Sequence, residues 1–180
     1  MKQSIKALTV MLSIILLCGG LLAILSDVLF VSNEERISRA IAKIYKEEPT
    51  NLEQTIDVNQ VDGSSFEELG FVKSAYALDN GDYLVLATGK KGYSNGTVTT
   101  YVALEVNENI VSVKKVVEDS YTGQTLMAKL SSIYERFIGK TSNNSVDEVV
   151  EIVGGATYSS SAASNSVYVA MQFVSLVIGG

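Results

Sequence analysis

The pattern of hydrophobic and polar positions divides the chain at about residue 31. Before that point, Ala7 to Leu25 is a run of 19 residues without a charged side chain. As an α-helix rising about 1.5 Å per residue, this run would be about 28 Å long, close to the hydrocarbon thickness of a bilayer. Lys2 and Lys6 precede it, and basic residues favour the cytoplasmic side. The pattern predicts that residues 1–31 are a cytoplasmic tip and a single transmembrane helix in the cell membrane, with the rest of the chain extracytoplasmic.

Two other uses of this N-terminus fit the residues less well. A cleaved signal peptide needs small residues before the cut, whereas the chain has Ala23-Ile24-Leu25 at that point. A lipoprotein needs a small residue before its cysteine, whereas Leu17 precedes Cys18. Cys18 is therefore expected to be an ordinary apolar residue of the span.

The stretch after the anchor predicts a helix and a linker. Ser32 to Glu35 has the sequence of a capping box, and apolar residues at helical spacing follow it as far as Pro49. Residues 50–65 are polar and predicted to be irregular, and residues 66–78 fit neither a helix nor a strand clearly. We therefore assign residues 32–74 to a connecting amphipathic helix and linker.

Residues 75–180 have the pattern of one α+β domain. A buried strand is predicted at 83–87, and two β-branched runs at 97–106 and 110–117 predict a hairpin, because Asn107-Glu108-Asn109 between them is a turn sequence. Apolar residues at helical spacing predict a helix ending at Gly139, and a last helix from about Ser159 to Leu176. The residues of the first of these helices that share one face are Leu126, Leu130, Ile133, Tyr134 and Phe137. The expected fold is a mostly antiparallel sheet with packed helices.

Composition excludes several classes of function. The 180 residues include no His and one Cys, which excludes imidazole acid–base chemistry, a His-ligated metal and a Cys zinc site. The formal net charge is −6, whereas nucleic-acid binders need a basic surface. We therefore expect no metal site, no nucleic-acid partner and no catalytic imidazole.

The candidate chemistry lies at the start of the last helix. Gly154-Gly155-Ala156-Thr157-Tyr158-Ser159-Ser160 is a glycine-rich turn that leads into a helix. Glycines let a ligand approach the backbone, and the N–H groups at a helix start favour a phosphate. No Lys follows, so the turn is not a Walker A loop, and the spacing G-x-G-x-x-G is absent. On spacing alone, a strand-to-helix turn with serine caps is the simpler interpretation.

The segment Gly155-Ala156-Thr157-Tyr158-Ser159 resembles the G-A-T-x-[ST] motif of the FMN-binding domain of RnfG and NqrC. These are membrane-anchored flavin subunits of ion-translocating oxidoreductases. The resemblance extends over roughly residues 75–177 and includes the strand order around Gly92-Tyr93. It implies that Thr157 carries FMN through a phosphoester bond installed by a flavin transferase. The family's acidic residue six positions before the Thr corresponds to Glu151.

The resemblance also implies further cofactor contacts. Around the phosphate these are Gly154, Gly155, Ala156, Ser159 and Ser160, although the two serines also suit simple helix capping. The family has E-T-P-G-L-G in the loop after the hairpin, whereas this chain has Ser120-Tyr121-Thr122-Gly123-Gln124-Thr125 and keeps only the central Gly123. Tyr121 and Tyr93 would lie beside the flavin ring, or else pack on the hairpin and the turn.

By this resemblance, the chain is an electron-relay subunit of an Rnf-type complex, without a substrate site of its own. Such a complex couples ferredoxin oxidation and NAD reduction to Na⁺ or H⁺ translocation. Its other membrane subunits would be partners, including an integral membrane subunit that carries its own flavin. Two alternatives stay open: an anchored assembly subunit that kept the fold without flavin, and a flavin carrier for an extracytoplasmic reductase.

Overall fold

The computed structural model describes residues 2–29, 32–46, 50–123 and 130–179. The chain divides into two compact units, Met1–Arg39 and Ala40–Gly180. Helix α1 (Lys2–Leu29) lies in the first unit, and the division falls inside helix α2 (Asn33–Ile44). Two predicted boundaries, the end of the anchor at residue 31 and the helix stop at Pro49, lie outside the described residues.

The start of α2 has the cap that its sequence predicts. The backbone N–H of Glu35 donates to Ser32 Oγ at 3.1 Å, which satisfies one of the donors that a helix start leaves open. One turn later, Arg39 Nη2 lies 2.6 Å from Glu35 Oε1. The helix predicted after residue 32 is therefore confirmed.

The helix that has the length and apolar composition to span a membrane lies at the C-terminus of the described chain and not at the N-terminus. Among the described residues, the one helix that is long and apolar enough to cross a bilayer is Thr157–Gly179, and 61% of its apolar window is buried inside the protein. This burial is typical of a core helix. The apolar segment of α1 with described side chains, Thr9–Leu22, is shorter than a span. The predicted N-terminal transmembrane helix is therefore not confirmed, because residues at both ends of its run have no described side chains.

The second unit contains one five-stranded antiparallel sheet whose strands follow one another in chain order. The fold is therefore α+β with an antiparallel sheet, as predicted. Its elements are β1 (Leu52–Ile56), β2 (Gly70–Leu78), β3 (Tyr83–Gly89), β4 (Val98–Asn107), β5 (Ile110–Tyr121), α3 (Val146–Val149) and α4 (Thr157–Gly179).

The hairpin between β4 and β5 forms where its turn residues predict it. Asn107 pairs with Ile110, so the loop consists of two residues. Both have positive φ, 50° at Glu108 and 67° at Asn109, as in the type I′ turn whose twist matches that of the strands. The predicted hairpin is confirmed.

Two strands lie in the stretch that the sequence assigns to the linker. The prediction that residues 50–65 are irregular is wrong for β1, and β2 begins at Gly70, five residues before the predicted domain boundary. The pattern misses β1 because it is an edge strand. Four of its five side chains are exposed, so no alternation of apolar and polar residues marks it.

The helix predicted to end at Gly139 is replaced by turns in the part that the structure describes. Residues 124–129, which include Leu126, lie outside that part. From Leu130 onward the chain forms turns and a short 3₁₀ helix, Tyr134–Phe137. Backbone bonds to β5 follow at once: Gly139 N–H donates to Val113 O, and Val113 N–H to Lys140 O, both at 2.8 Å. This pairing with the edge of β5 prevents the chain from continuing as a helix. The apolar side chains predicted to share one face are nevertheless buried: Leu130, Ile133, Tyr134 and Phe137.

Helix α4 packs across the sheet through small residues. A Cβ added to Gly89 on β3 would lie 1.9 Å from the carbonyl oxygen of Ala162, so the helix backbone rests directly on the strand. Next to this contact, Thr100 Oγ1 and Ser166 Oγ are 2.8 Å apart and buried. The serine-rich start of α4 is therefore part of the core, and its position is fixed against β3 and β4.

Candidate functional site

The glycine-rich turn brings the chain to the start of α4 as its sequence predicts. Gly155 has φ of +75°, which a residue without a side chain adopts at little cost. Ala156 N–H donates to Val153 O at 2.9 Å, and Ala156 itself is buried. The space that a side chain at Gly154 would occupy is open, with no described atom within 4 Å. The turn is therefore closed on the side of the protein core and accessible at Gly154.

Thr157 is the first residue of α4 and its side chain is exposed. The first N–H groups of a helix have no carbonyl partner within it. Among the described residues, no hydrogen bond reaches the N–H of Thr157 or that of Tyr158. The combination of an exposed hydroxyl and open backbone donors suits a covalently held phosphate, which the helix dipole stabilises by about 0.3–1 kcal/mol.

Ser160 has a different role from the one that the sequence suggests. It is buried, its Oγ accepts a hydrogen bond from Val153 N–H at 3.1 Å, and it donates to Ala156 O at 2.8 Å. Both bonds hold the turn against the helix, so Ser160 positions the turn from within the core. Ser159, with a relative exposure of 2%, is also buried.

Ser164 repeats this arrangement one helical turn later. Its Oγ accepts from Glu151 N–H at 2.9 Å and donates to Ser160 O at 2.9 Å. Sequence reasoning missed this residue, although the spacing of four between Ser160 and Ser164 places both hydroxyls on one face of the helix. The two serines hold residues 151–153 along α4.

Substituting Ser160 with alanine should destabilise the protein by about 1 kcal/mol, because the partly buried N–H of Val153 loses its acceptor. The measurement is urea unfolding of the full chain in detergent, followed by circular dichroism. Ser161→Ala is the matched control, since Ser161 Oγ donates to Thr157 O, a carbonyl at an exposed position. Equal midpoints for the two variants would contradict the role given to Ser160.

Glu151, the acidic residue six positions before Thr157, forms two ion pairs. Its carboxylate lies 3.7 Å from Arg136 Nη1 and 3.4 Å from Lys140 Nζ. These contacts join the segment before the turn to the 3₁₀ helix, through Arg136, and to Lys140 just after it. The carboxylate of Glu151 therefore helps to position the segment that precedes Thr157.

A second turn, Gly92 to Gly96 between β3 and β4, lies beside the start of α4. Gly92 N–H donates to Gly96 O and Gly96 N–H donates to Tyr93 O, both at 2.9 Å. The ring of Tyr93 lies 5.8 Å from that of Tyr158, with 62° between the ring planes. Tyr93, which the resemblance places beside the flavin ring, therefore lies next to Tyr158, the residue that follows Thr157. Tyr93 is 50% exposed.

The end of β5 meets the same turn. Thr122 N–H donates to Thr97 O at 3.0 Å, and Thr97 N–H donates to Thr122 Oγ1 at 3.1 Å. Gly123, with φ of +70°, lies so close to the turn that an added Cβ would be 2.9 Å from Gly96 Cα. The structure therefore brings Gly123 and the turn together.

Tyr121 lies at the last position of β5 and is half exposed. In the described part of the chain, the one ring-to-ring contact is that of Tyr93 with Tyr158, and Tyr121 adjoins the site through its strand. Three segments thus meet at one end of the sheet: the glycine-rich turn with the start of α4, the Gly92–Gly96 turn, and the end of β5.

The described residues hold no group of three or more His, Cys, Asp or Glu side chains that suits a metal ion. The chain matches no family model, no curated protein and no solved structure. The chemistry available at the site is therefore that of Thr157 and its surroundings.

Proposed function

We propose that the chain is a membrane-anchored electron-transfer subunit that carries FMN covalently on Thr157, in a complex of the Rnf type. The observation that supports this most directly is the exposed hydroxyl of Thr157 at the start of α4, behind a turn without side chains at Gly154 and Gly155. Its position agrees with the resemblance of this segment to the G-A-T-x-[ST] motif.

The residues present suit a flavin phosphate. Thr157 would hold it as an ester, the backbone N–H groups of Thr157 and Tyr158 would donate to its free oxygens, and the open space at Gly154 would admit it. When bound, FMN passes one or two electrons, and the protein supplies orientation and polarity around it. Tyr93 and Gly123 border the same end of the sheet and would limit where the ring can lie.

The surroundings of Thr157 are suited to keep the site in one geometry. Ser160 and Ser164 hold the turn on the side of the core. Glu151, in the segment before the turn, forms ion pairs with Arg136 and Lys140. A rigid backbone around an exposed hydroxyl reduces the loss of conformational freedom when a group is attached there. Covalent attachment would also prevent loss of the cofactor outside the cell.

The anchor is part of the proposal. Helix α1 has 28 residues, which corresponds to about 42 Å. The large apolar side chains described in it, from Val10 to Leu22, are all more than half exposed, as expected for a surface that lipid covers. The run Ala7–Leu25 has no charged residue, so the path of the translocated ion would lie in other subunits.

The experiment that tests this function is expression of the full chain together with a flavin transferase. After denaturing electrophoresis, the band should retain yellow flavin fluorescence, and the peptide containing Thr157 should have the added mass of FMN minus water. The control is the same chain expressed without the transferase. Protein without flavin despite an active transferase would contradict the proposal and favour the flavin-free assembly subunit.

A tag fused after Gly180 should be cut by protease added outside intact cells, because Lys2 and Lys6 favour a cytoplasmic N-terminus. The same tag fused before Met1 should be protected, and it becomes accessible only when the cells are lysed. Protection of the C-terminal tag would contradict the topology and the extracytoplasmic electron route that depends on it.

A further inference from the structure

Two tyrosines form an exposed aromatic pair next to Thr157. Tyr158 is 60% exposed and Tyr93 is 50% exposed, although their rings contact each other with centroids 5.8 Å apart. The 62° between the ring planes is typical of edge-to-face packing. Much of the aromatic surface of this pair therefore faces solvent, beside the proposed attachment point.

The backbone on both sides of the pair is fixed. Tyr93 belongs to the Gly92–Gly96 turn, which two internal hydrogen bonds close and against which Gly123 packs. Tyr158 belongs to the first turn of α4, where the bonds of Ser160 fix the opposite side of the helix. Two aromatic side chains on a fixed backbone lose less conformational freedom when a planar group packs on them than side chains on a mobile loop would.

Tyr158 occupies the variable position of the G-A-T-x-[ST] motif, so the motif gives it no role. It follows Thr157 directly, and a group tethered at Thr157 stays near it. Aromatic groups gain from covering one another's apolar surface. We propose that Tyr158, together with Tyr93, forms the surface on which the isoalloxazine ring of the attached FMN packs; this rests on the proposed function.

The test uses the full chain with covalent FMN, prepared with the transferase and compared at equal loading by peptide mass. The readouts are flavin fluorescence per bound FMN and its quenching by iodide, which reports how accessible the ring is. Tyr158→Leu and Tyr93→Leu remove the aromatic surface. Both should raise the ratio of accessible to packed flavin by about two- to tenfold, the range expected for loss of one aromatic contact.

Two further variants separate ring packing from a general effect on the fold. Tyr158→Phe keeps a ring and should keep the low iodide accessibility of the original chain. Phe71→Leu is the matched control, since Phe71 is also a half-exposed aromatic (43%) but lies on β2, and it should change neither readout. If Tyr158→Leu is unstable in a thermal melt, Tyr158→Gln provides the same comparison.

The outcomes distinguish this inference from the function on which it rests. A flavin that behaves identically in Tyr158→Leu and Phe71→Leu would overturn the packing role while leaving covalent FMN intact. Unchanged flavin together with weaker co-purification of other membrane subunits would identify the pair as a protein-docking surface instead. If the original chain carries no flavin at all, both proposals are wrong.

Discussion

Thr157→Ala should abolish covalent flavin while leaving the fold nearly intact. The methyl side chain of alanine has no hydroxyl that could form a phosphoester. Thr157 supplies an exposed hydroxyl at the first position of α4. Alanine is well tolerated at this position because it has the highest helix propensity. In-gel flavin fluorescence should fall to the background of the sample made without transferase, and the peptide containing residue 157 should lack the FMN mass.

The controls for this prediction come from the same helix. Ser161→Ala removes another hydroxyl one turn later and should leave labelling unchanged. Thr157→Ser keeps a hydroxyl and should restore part of the labelling. Covalent flavin that persists in Thr157→Ala would mean that another hydroxyl is the attachment point. The burial of Ser159 and Ser160 makes both poor acceptors, so peptide mapping would then have to extend beyond this motif.

Gly89→Ala should destabilise the protein by about 3 kcal/mol, the upper end of the range for forcing an extra methyl group into a packed core. The new Cβ would lie 1.9 Å from Ala162 O and 2.4 Å from Ser166 N. Both are helix backbone atoms, so no side chain can rotate away. Helix α4 would have to move off β3, and with it the start of the helix that carries Thr157.

Thermal unfolding of the full chain in detergent measures this effect, and a fall in the midpoint of about 10 °C is expected for a domain of this size. Gly179→Ala is the matched control, because an added Cβ there meets none of the described atoms within 4 Å. A Gly89→Ala variant as stable as this control would contradict the direct packing of α4 on β3. Reduced FMN labelling of Gly89→Ala, at a temperature where it is folded, would link that packing to the site.

Local sequence was enough wherever a few neighbouring residues decide the backbone. The turn at Glu108-Asn109 was predictable because few residues adopt positive φ at both positions, and the β-branched runs beside it require pairing. The cap at Ser32 and the helix after Gly154-Gly155 were also predictable, because residues next to one another in the sequence form both of them. The motif itself, with Thr157 at a helix start, is also a local property.

Sequence patterns failed where long-range pairing decides the structure. β1 has four exposed side chains out of five, so its strand character comes only from hydrogen bonds to β2. Residues 130–139 have apolar spacing that a helix and a 3₁₀ turn both satisfy. The backbone bonds of Gly139 and Lys140 to Val113 decide between them, and these join residues far apart in the chain.

The candidate site shows the same division. The sequence by itself determined that a glycine-rich turn precedes a helix, with a start expected at about Ser159, whereas the structure begins the helix at Thr157. Only the tertiary structure decided that Ser160 turns inward to hold the turn, and that Tyr93, 65 residues before Tyr158, contacts it. The physical reason is that a helix start depends on neighbouring residues, whereas the side of the helix that is buried, and the segments that meet beside it, depend on how α4 packs on the sheet.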